Sequence, residues 1–182
     1  MFKKITLLRH APVKKRYLNS FNGWIDIDIE IAYNDKKINN LKKILRNNNF
    51  DRIYSSDLIR CKNTLKLLEF EKFEVMKEFR EIAFKDFAEG KNFDDIQKSV
   101  KIPDNAFDNI ERWSDFIAKE SYEEFIKRIK RGIEKTEGKN ILLCTHGGVI
   151  AVFAHLYLNQ NLFSKKINYL DLLVINDSLK QY

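Results

Sequence analysis

The sequence predicts an α/β fold, a three-layer α/β/α sandwich with a mostly parallel sheet and a helical insertion. The first observation is that short apolar runs typical of buried strands alternate with longer segments whose apolar residues recur at helical spacing. Such alternation is typical of a sheet that has helices on both faces. The second observation is that the 182 residues, 44% of them hydrophobic, contain no internal repeat and no Pro-, Gly- or Ser-rich linker. We therefore expect a single domain over residues 1–182.

Each expected element has a local signal. Residues 5–8 form an apolar run that ends abruptly at Arg9, as a buried strand does. Ile38, Leu41 and Leu45 share one helical face, and the three asparagines that follow close that helix. The expected strands cover residues 5–8, 51–55, 73–76, 140–145 and 169–175. The expected helices cover residues 35–45, 57–68, 94–99, 108–119, 122–135 and 149–158, of which the third to the fifth form the helical insertion, residues 78–139.

The composition argues against several function classes. The chain carries 33 Lys and Arg against 26 Asp and Glu, a net charge of +7, but the basic residues are interspersed with acidic ones. An ordinary solvated surface explains this pattern better than nucleic-acid binding, although a basic protein attracts anionic substrates. The two cysteines, Cys61 and Cys144, form neither a disulfide framework nor a metal-ligand spacing. No apolar run has the length of a membrane span, and we expect a cytoplasmic protein.

Two predicted strands end in the same kind of residues. Arg9 and His10 follow the first strand, and Thr145 and His146 end the strand at 140–145. Ligands of open α/β sheets bind at the carboxyl ends of the strands, so two of the three histidines lie where a site is expected. The glycine pair at 147–148 begins the next helix and lets backbone N–H groups approach an anion. Packing would explain one such histidine, but two at matching strand ends favour a functional site.

Arg60 departs from the residue preference at the start of a helix. Ser55, Ser56 and Asp57 form a good N-cap cluster, which puts Arg60 in the first turn of the following helix. A cation there opposes the helix dipole at a cost on the order of a few tenths of a kcal/mol. An arginine in this place makes sense if the guanidinium and the helix end face one anion. An Arg60 that turns out to solvent explains the sequence equally well.

Six short motifs occur in order along the chain. They are Arg-His at 9–10, Gly-Trp-x-Asp at 23–26, Ser-Ser-x-Leu-x-Arg at 55–60, Arg-Glu at 80–81, Phe-Ala-Glu-Gly at 87–90 and Thr-His-Gly-Gly at 145–148. Together they resemble the histidine phosphatase superfamily in its phosphoglycerate mutase-like branch (alpha-ribazole phosphatase-like). The resemblance covers about residues 5–158 and implies the phosphoglycerate mutase-like form of the α/β sandwich.

The resemblance also implies phosphoryl transfer through a phosphohistidine. His10 would attack phosphorus as a neutral imidazole, and Glu81 would act as general acid and base. Arg9, Arg60 and His146 would surround His10 with positive charge, which disfavours its protonation and stabilises the transition state. Negative charge on the bound phosphate favours a protonated Glu81, so we expect faster turnover in mildly acidic buffer.

The implied enzyme is a metal-independent phosphatase without a cofactor. Its substrate would be a small phosphorylated molecule, with no role for nucleic acid or a membrane. The residues implied to bind phosphate or substrate are Arg9, Arg60, His146, Gly147, Asn22 and Gly23.

Departures from the family pattern leave alternatives open. Ala11 replaces the usual glycine after Arg-His, Val13 replaces a hydroxyl residue, and Lys85 replaces a common glycine after the general acid. These changes are compatible with a catalytically weak binding protein on the same fold. Mutase-type transfer is the other alternative, although the short segment after the last motif favours hydrolysis. The alternating carboxylates at 26–30 resemble a metal loop but lack its glycine, so no metal site is expected.

Overall fold

The strands form one twisted layer in the centre of the protein. The structure, a computed structural model, describes residues 4–30, 35–162 and 167–176. Within these ranges, five strands pair in the order β3-β2-β4-β1-β5. Their bounds are β1 (Lys4–Arg9), β2 (Arg52–Ser55), β3 (Glu74–Val75), β4 (Asn140–Thr145) and β5 (Leu172–Asn176). β1 to β4 are mutually parallel where they pair, and β5 runs antiparallel to β1, which confirms the mostly parallel sheet.

The helices follow the predicted order along the chain, with shifts of a few residues at their ends. The first helix, over residues 35–46, is followed by Asn49, whose φ of 42° is left-handed. The fifth helix, over residues 122–135, begins with a capping box between Ser121 and Glu124. No helix in the described ranges is long and apolar enough to cross a membrane. The bounds are α1 (Asp35–Arg46), α2 (Ile59–Leu67), α3 (Phe93–Ser99), α4 (Ile110–Ile117), α5 (Tyr122–Lys135) and α6 (Gly147–Leu158).

Helices cover both faces of the sheet, as predicted. Leu7 and Leu8 are adjacent on β1 and therefore point to opposite faces. Leu7 packs in a core with α5 and α6, whereas Leu8 packs in a second core with α1 and α2. The sheet is thus buried on both sides, and its carboxyl edge remains the natural place for a site.

The segment expected as an insertion, residues 78–139, contains α3, α4 and α5. α5 packs against the sheet through residues such as Phe125 and Ile129. α3 and α4 instead contribute to a third apolar cluster, which includes Phe84, Ile96 and Ile117. This cluster lies next to the strand ends and supplies one wall of the cavity described below.

The start of α2 differs from the prediction. Leu58 occupies the N-cap position without a side-chain hydrogen bond, and the carboxylate of Asp57 instead accepts two hydrogen bonds from Arg80. The first free backbone N–H of the helix, on Ile59, donates to Asp26 Oδ1 at 2.6 Å. A carboxylate from a distant loop therefore replaces the local cap that the Ser-Ser-Asp cluster predicted.

Candidate active site

The two strand-end histidines lie next to each other. In the parallel pairing of β1 with β4, Arg9 is opposite Thr145, and the His10 backbone N–H donates to the Thr145 carbonyl at 3.0 Å. The ring centroids of His10 and His146 are 5.2 Å apart and the rings meet edge to face. Only 5% of His10 and none of His146 is exposed. The register of two neighbouring strands is therefore what brings them together.

His10 is held as a neutral imidazole with one defined tautomer. Its Nδ1 lies 2.7 Å from the carbonyl oxygen of Ala11, and because a carbonyl can only accept, Nδ1 carries the proton. The lone pair is then on Nε2. Burial, together with the charges of Arg60 and Arg9, holds the pKa of His10 well below its ordinary value. Nε2 is consequently available as a nucleophile at neutral and mildly acidic pH.

Arg60 points into the protein and not to solvent. It is 1% exposed, and its Nη1 and Nη2 donate to the carbonyls of Ile25 and Gly23 at 2.8 and 2.6 Å. Its Nε donates to Nδ1 of His146 at 3.3 Å. The fork of the guanidinium is therefore fixed by three acceptors, which is the arrangement that makes arginine irreplaceable by lysine.

His146 is neutral, in contrast to the positive charge expected from the sequence. Its Nδ1 accepts from Arg60, so the proton resides on Nε2, which donates to Ser56 Oγ at 2.9 Å. Burial and the nearby Arg60 lower the pKa of His146 well below its usual value. The positive charge near His10 thus comes from the two arginines, and His146 accepts a hydrogen bond from one of them, Arg60.

Only part of the Arg9 guanidinium has protein partners among the described residues. Its Nη1 donates to the Ile167 carbonyl, and its guanidinium carbon lies 4.1 Å above the Tyr169 ring. Its buried Nε has no hydrogen-bond partner within the described part of the chain. A buried guanidinium N–H without an acceptor is suited to bind an anion. In the sequence, Tyr169 is only the first residue of an expected strand, and no local signal indicates its contact with Arg9.

Glu81 lies against the N-terminus of α6. Its Oε2 accepts from the Gly148 backbone N–H at 3.1 Å, and its Oε1 accepts from its neighbour Ile82 at 3.1 Å. A Cβ on Gly148 would overlap with Glu81 Oε1, whereas a Cβ on Gly147 would meet Arg9 at an ordinary 3.7 Å. The second glycine of the pair is therefore required by the carboxylate.

The segment that carries Glu81 is held through its backbone. Arg128 on α5 donates from Nη1 to the carbonyls of Glu78 and Arg80, at 2.7 and 3.0 Å, and from Nη2 to that of Glu81 at 3.2 Å. The indole N–H of Trp24 donates to the same Glu81 carbonyl at 2.7 Å. The Trp24 motif was recognised in the sequence, but no local signal distinguished Arg128 from the other basic residues of its helix.

Gly23 contacts Arg60 through its backbone, and Asn22 precedes it in the same loop. Gly23 has a φ of 44°, which favours glycine, and its carbonyl binds Arg60. Asn22 donates from its side chain to the Tyr17 carbonyl at 2.9 Å. Neither residue lines the cavity described below. Their implied contact with substrate stays a prediction.

The residues that depart from the family pattern have structural partners. Ala11 donates its backbone N–H to Thr64 Oγ1 at 2.8 Å, and Val13 is buried and bridges to Ile29. Lys85 donates to the carbonyls of residues 115 and 116, at 2.6 and 3.0 Å, near the end of α4. Its ammonium group is thus used to cap a helix.

Two of the three carboxylates at 26–30 accept hydrogen bonds from α2. Asp26 accepts from Ile59, as described above, and Asp28 Oδ1 accepts from the Asn63 side chain at 2.7 Å. The described ranges contain no group of three or more His, Cys, Asp or Glu side chains arranged to hold a metal ion.

A cavity of about 290 Å³ opens beside these residues. Arg9, Glu81, Gly147 and Gly148 line it, and the remaining described lining is mostly apolar. His10, Arg60 and His146 do not belong to the lining and are buried next to it. The site therefore consists of a buried basic and imidazole cluster adjoining an apolar cavity, with Arg9 common to both.

Comparison with solved structures shows the same fold in phosphoglycerate mutase-like proteins. The phosphoglycerate mutase of Bacillus anthracis str. Sterne superimposes with a TM-score of 0.74 and 22% identity, covering 97% of this chain and 88% of the other. The phosphoglycerate mutase of Thermus thermophilus gives 0.72 and 22%, with coverages of 94% and 91%. The protein TTHB049 from the same organism gives 0.73 and 22%, with coverages of 94% and 92%.

Comparison with curated protein sequences gives no significant match. The sequence pattern of the histidine phosphatase superfamily (branch 1), by contrast, matches residues 5–172, nearly the whole chain. With the strand-end histidines and their arginines, this match identifies the chain as a member of branch 1 of the histidine phosphatase superfamily.

Proposed function

We propose that the protein hydrolyses phosphate monoesters through a phosphohistidine on His10, with Glu81 as general acid and base. The observation that supports this most is the tautomer of His10. Its proton is directed to the Ala11 carbonyl, so Nε2 has a free lone pair, and burial together with two arginines keeps the ring unprotonated. These are the requirements of an imidazole nucleophile.

In the first step, Nε2 of His10 attacks phosphorus and forms a P–N bond while the P–O bond of the ester breaks. Protonated Glu81 gives its proton to the departing alkoxide, so the alcohol leaves neutral and Glu81 becomes a carboxylate. In the second step this carboxylate takes a proton from water, the resulting hydroxide attacks phosphorus, and the P–N bond breaks. Inorganic phosphate leaves, and both His10 and Glu81 return to their initial states.

Arg9, Arg60 and the start of α6 would stabilise the charge on the equatorial oxygens. Phosphoryl transfer is accelerated mainly by positioning and by fixed positive charge. The buried Nε of Arg9 offers a donor without another acceptor in the described ranges. Arg60 is already oriented by three hydrogen bonds, so it needs little reorganisation when phosphate binds.

The test is hydrolysis of a chromogenic aryl phosphate in excess chelator. We expect metal-independent turnover that His10→Ala abolishes, and an acid-labile, base-stable phosphoenzyme in the wild type. His155→Ala is the matched control, because His155 lies exposed on α6 and should leave turnover unchanged. Equal rates for wild type and His10→Ala would refute the enzyme and support a binding protein on this fold.

The role of Glu81 has its own test. The rate should fall from mildly acidic to alkaline pH as the proton donor is lost, and Glu81→Gln should remove that dependence. A wild-type rate that stays flat from about pH 5 to 8 contradicts this assignment.

Mutase-type transfer is a second candidate, because two of the solved structures similar to this chain are phosphoglycerate mutases. A mutase returns the phosphoryl group to a second hydroxyl of the substrate, whereas a phosphatase releases it to water. Incubation with 3-phosphoglycerate, with separate measurement of 2-phosphoglycerate and inorganic phosphate, distinguishes the two. We expect phosphate release to exceed isomerisation.

A further inference from the structure

The cavity beside Arg9 and Glu81 has two chemically different ends. Arg9, Glu81 and the glycine pair at 147–148 lie together where α6 begins. Away from them, the described lining is apolar or aromatic apart from two hydroxyl side chains. Arg9 and Glu81 are the only charged side chains among the lining residues that the structure describes.

The aromatic wall is made of side chains that restrain one another. Trp113 of α4 has its ring centroid 6.1 Å from that of Phe21 and 5.8 Å from that of Phe116. Phe21 packs edge to face against Phe84 at 5.2 Å, and Phe84 is only 8% exposed. A wall of mutually packed rings keeps its shape and presents apolar surface to whatever enters.

An anionic leaving group fits this lining poorly. Arg9, the one cation among the described lining residues, would already be engaged by a phosphate bound at His10, and Glu81 would repel a second carboxylate. The basic residues at 14–16 are exposed and do not line the cavity. A carboxylate placed against Trp113 would therefore lose its hydration without gaining a second cation among the lining residues that the structure describes, which is unfavourable.

We propose that the natural substrate is the phosphate monoester of an uncharged apolar or aromatic alcohol, whose carbon skeleton lies against Trp113 and Phe84. The inference rests on the proposed phosphatase function of the same site. The cavity of about 290 Å³ is about twice the ~150 Å³ that accommodates benzene in an apolar protein cavity. Two fused rings or an aliphatic group of similar volume therefore fit the cavity.

Three esters of primary benzylic-type alcohols test the proposal: benzyl phosphate, 2-naphthylmethyl phosphate and 4-carboxybenzyl phosphate. The last differs from the first only by a remote carboxylate, so the ratio reports recognition and not the reactivity of the ester. We expect kcat/KM to rise from benzyl to naphthylmethyl and to be at least about tenfold lower for carboxybenzyl. A carboxybenzyl ester or 3-phosphoglycerate that is hydrolysed as well as the benzyl ester overturns the proposal.

Two variants locate the recognition at the aromatic wall. Trp113→Ala should lower kcat/KM for the naphthylmethyl ester about tenfold while changing that for ethyl phosphate by less than about twofold. Ile110→Lys places a cation on the same wall, where Ile110 lines the cavity, and should shift preference toward the carboxybenzyl ester. Ile44→Ala on α1, where Ile44 is 43% exposed, is the control and should change neither ratio.

The outcomes separate this inference from the proposed function. If the wild type hydrolyses no ester faster than His10→Ala does, the phosphatase itself is refuted. If hydrolysis depends on His10 but Trp113→Ala lowers all esters equally, or Ile110→Lys leaves the preference unchanged, the apolar substrate class alone is refuted. Ile110→Lys decides the question if circular dichroism shows that Trp113→Ala does not fold.

Discussion

The two halves of the site are built in opposite ways. The end proposed to bind phosphate, here called the phosphate end, is made of His10, Arg60 and His146. It consists of buried polar groups whose directions are fixed by hydrogen bonds to backbone carbonyls and to one another. The end proposed to hold the leaving group, here called the leaving-group end, is the wall of Phe84 and Trp113, whose described side-chain contacts are ring packing. A buried charged or polar group must be hydrogen-bonded before substrate binds, because leaving it unpaired costs free energy, whereas an apolar surface needs only to be well packed.

This difference predicts where the site tolerates change. At the phosphate end, a substitution leaves several buried donors or acceptors without partners, so stability and activity fall together. At the leaving-group end, a substitution changes volume and contact area, so selectivity changes more than chemistry does. Glu81 and Gly148 lie where the two ends meet. The effect of a substitution there depends on how far it moves the Glu81 carboxylate.

The largest expected combined loss of stability and activity, short of removing the nucleophile, is at the phosphate end, in Arg60→Lys. A lysine keeps the charge but cannot reach the carbonyls of Gly23 and Ile25 and the His146 ring together. We expect kcat to fall about 10²–10³-fold and the free energy of unfolding to fall by about 2–4 kcal/mol. Steady-state kinetics and urea unfolding measure the two losses.

Arg46→Lys is the matched control, since Arg46 is on the exposed surface of α1 and its ion pair with Glu69 is exposed. It should change neither quantity appreciably. An Arg60→Lys variant with wild-type stability would show that the three hydrogen bonds do not support the phosphate end.

The next effect is expected where the two ends meet, in Gly148→Ala. The new Cβ would overlap with Glu81 Oε1, and the flexible side chain can yield, so the carboxylate moves away from the α6 N-terminus. We expect kcat to fall about 10²-fold, which is typical of a displaced general acid, with little change in thermal stability. Gly147→Ala is the control at the preceding position, where the Cβ meets Arg9 at 3.7 Å, and its loss of kcat should be clearly smaller. Equal effects of the two variants would contradict this geometry.

The sequence alone predicted that Arg9, His10 and His146 lie at neighbouring strand ends, because they follow strands that are recognisable as apolar runs. The register that brings His10 next to His146 follows from parallel pairing, and the order of the motifs indicated the family that the match over residues 5–172 shows. The neutral state of His146 could not be predicted. It depends on burial and on a hydrogen bond from Arg60, which is 86 positions away in the chain.

Features that depend on distant partners were missed for the same reason. Arg128 is one of several basic residues on an amphipathic helix, and only the tertiary structure directs it to the carbonyls around Glu81. The cap of α2 likewise comes from Asp26, a carboxylate in another loop, and not from the adjacent Asp57. Local sequence patterns identify which residues are buried and which helices are capped. They do not identify which of several similar side chains makes a given tertiary hydrogen bond.

The third prediction concerns the pH dependence of stability at the phosphate end. Burial holds the pKa values of His10 and His146 well below normal, so both stay neutral in the folded protein, whereas in the unfolded chain they protonate near pH ~6.5. The unfolded state therefore takes up protons that the folded state does not. Stability from this source is complete above about pH 6.5 and is lost as pH falls below it, at up to about 1.4 kcal/mol per pH unit for each histidine.

Urea unfolding of wild type and His10→Gln between about pH 6.5 and 5 measures this dependence, since His10→Gln removes one of the two groups and should flatten the curve. His155→Gln, on the exposed side of α6, should run parallel to the wild type. A His10→Gln curve with the wild-type slope would mean that His10 is protonated in the folded protein.

The smallest effect is expected at the edge of the leaving-group end, in Lys85→Met. Lys85 departs from the family pattern, but its ammonium group donates to two carbonyls near the end of α4 and does not line the cavity. Removing it should cost about 0.5–1 kcal/mol of stability and change kcat/KM by less than about twofold, because helix capping does not touch the chemistry. Lys98→Met, exposed on α3, controls for the loss of one surface charge. A several-fold rise in kcat for Lys85→Met would instead show that this lysine weakens catalysis. The lysine at this position would then affect the site directly, and not only the helix that carries Trp113.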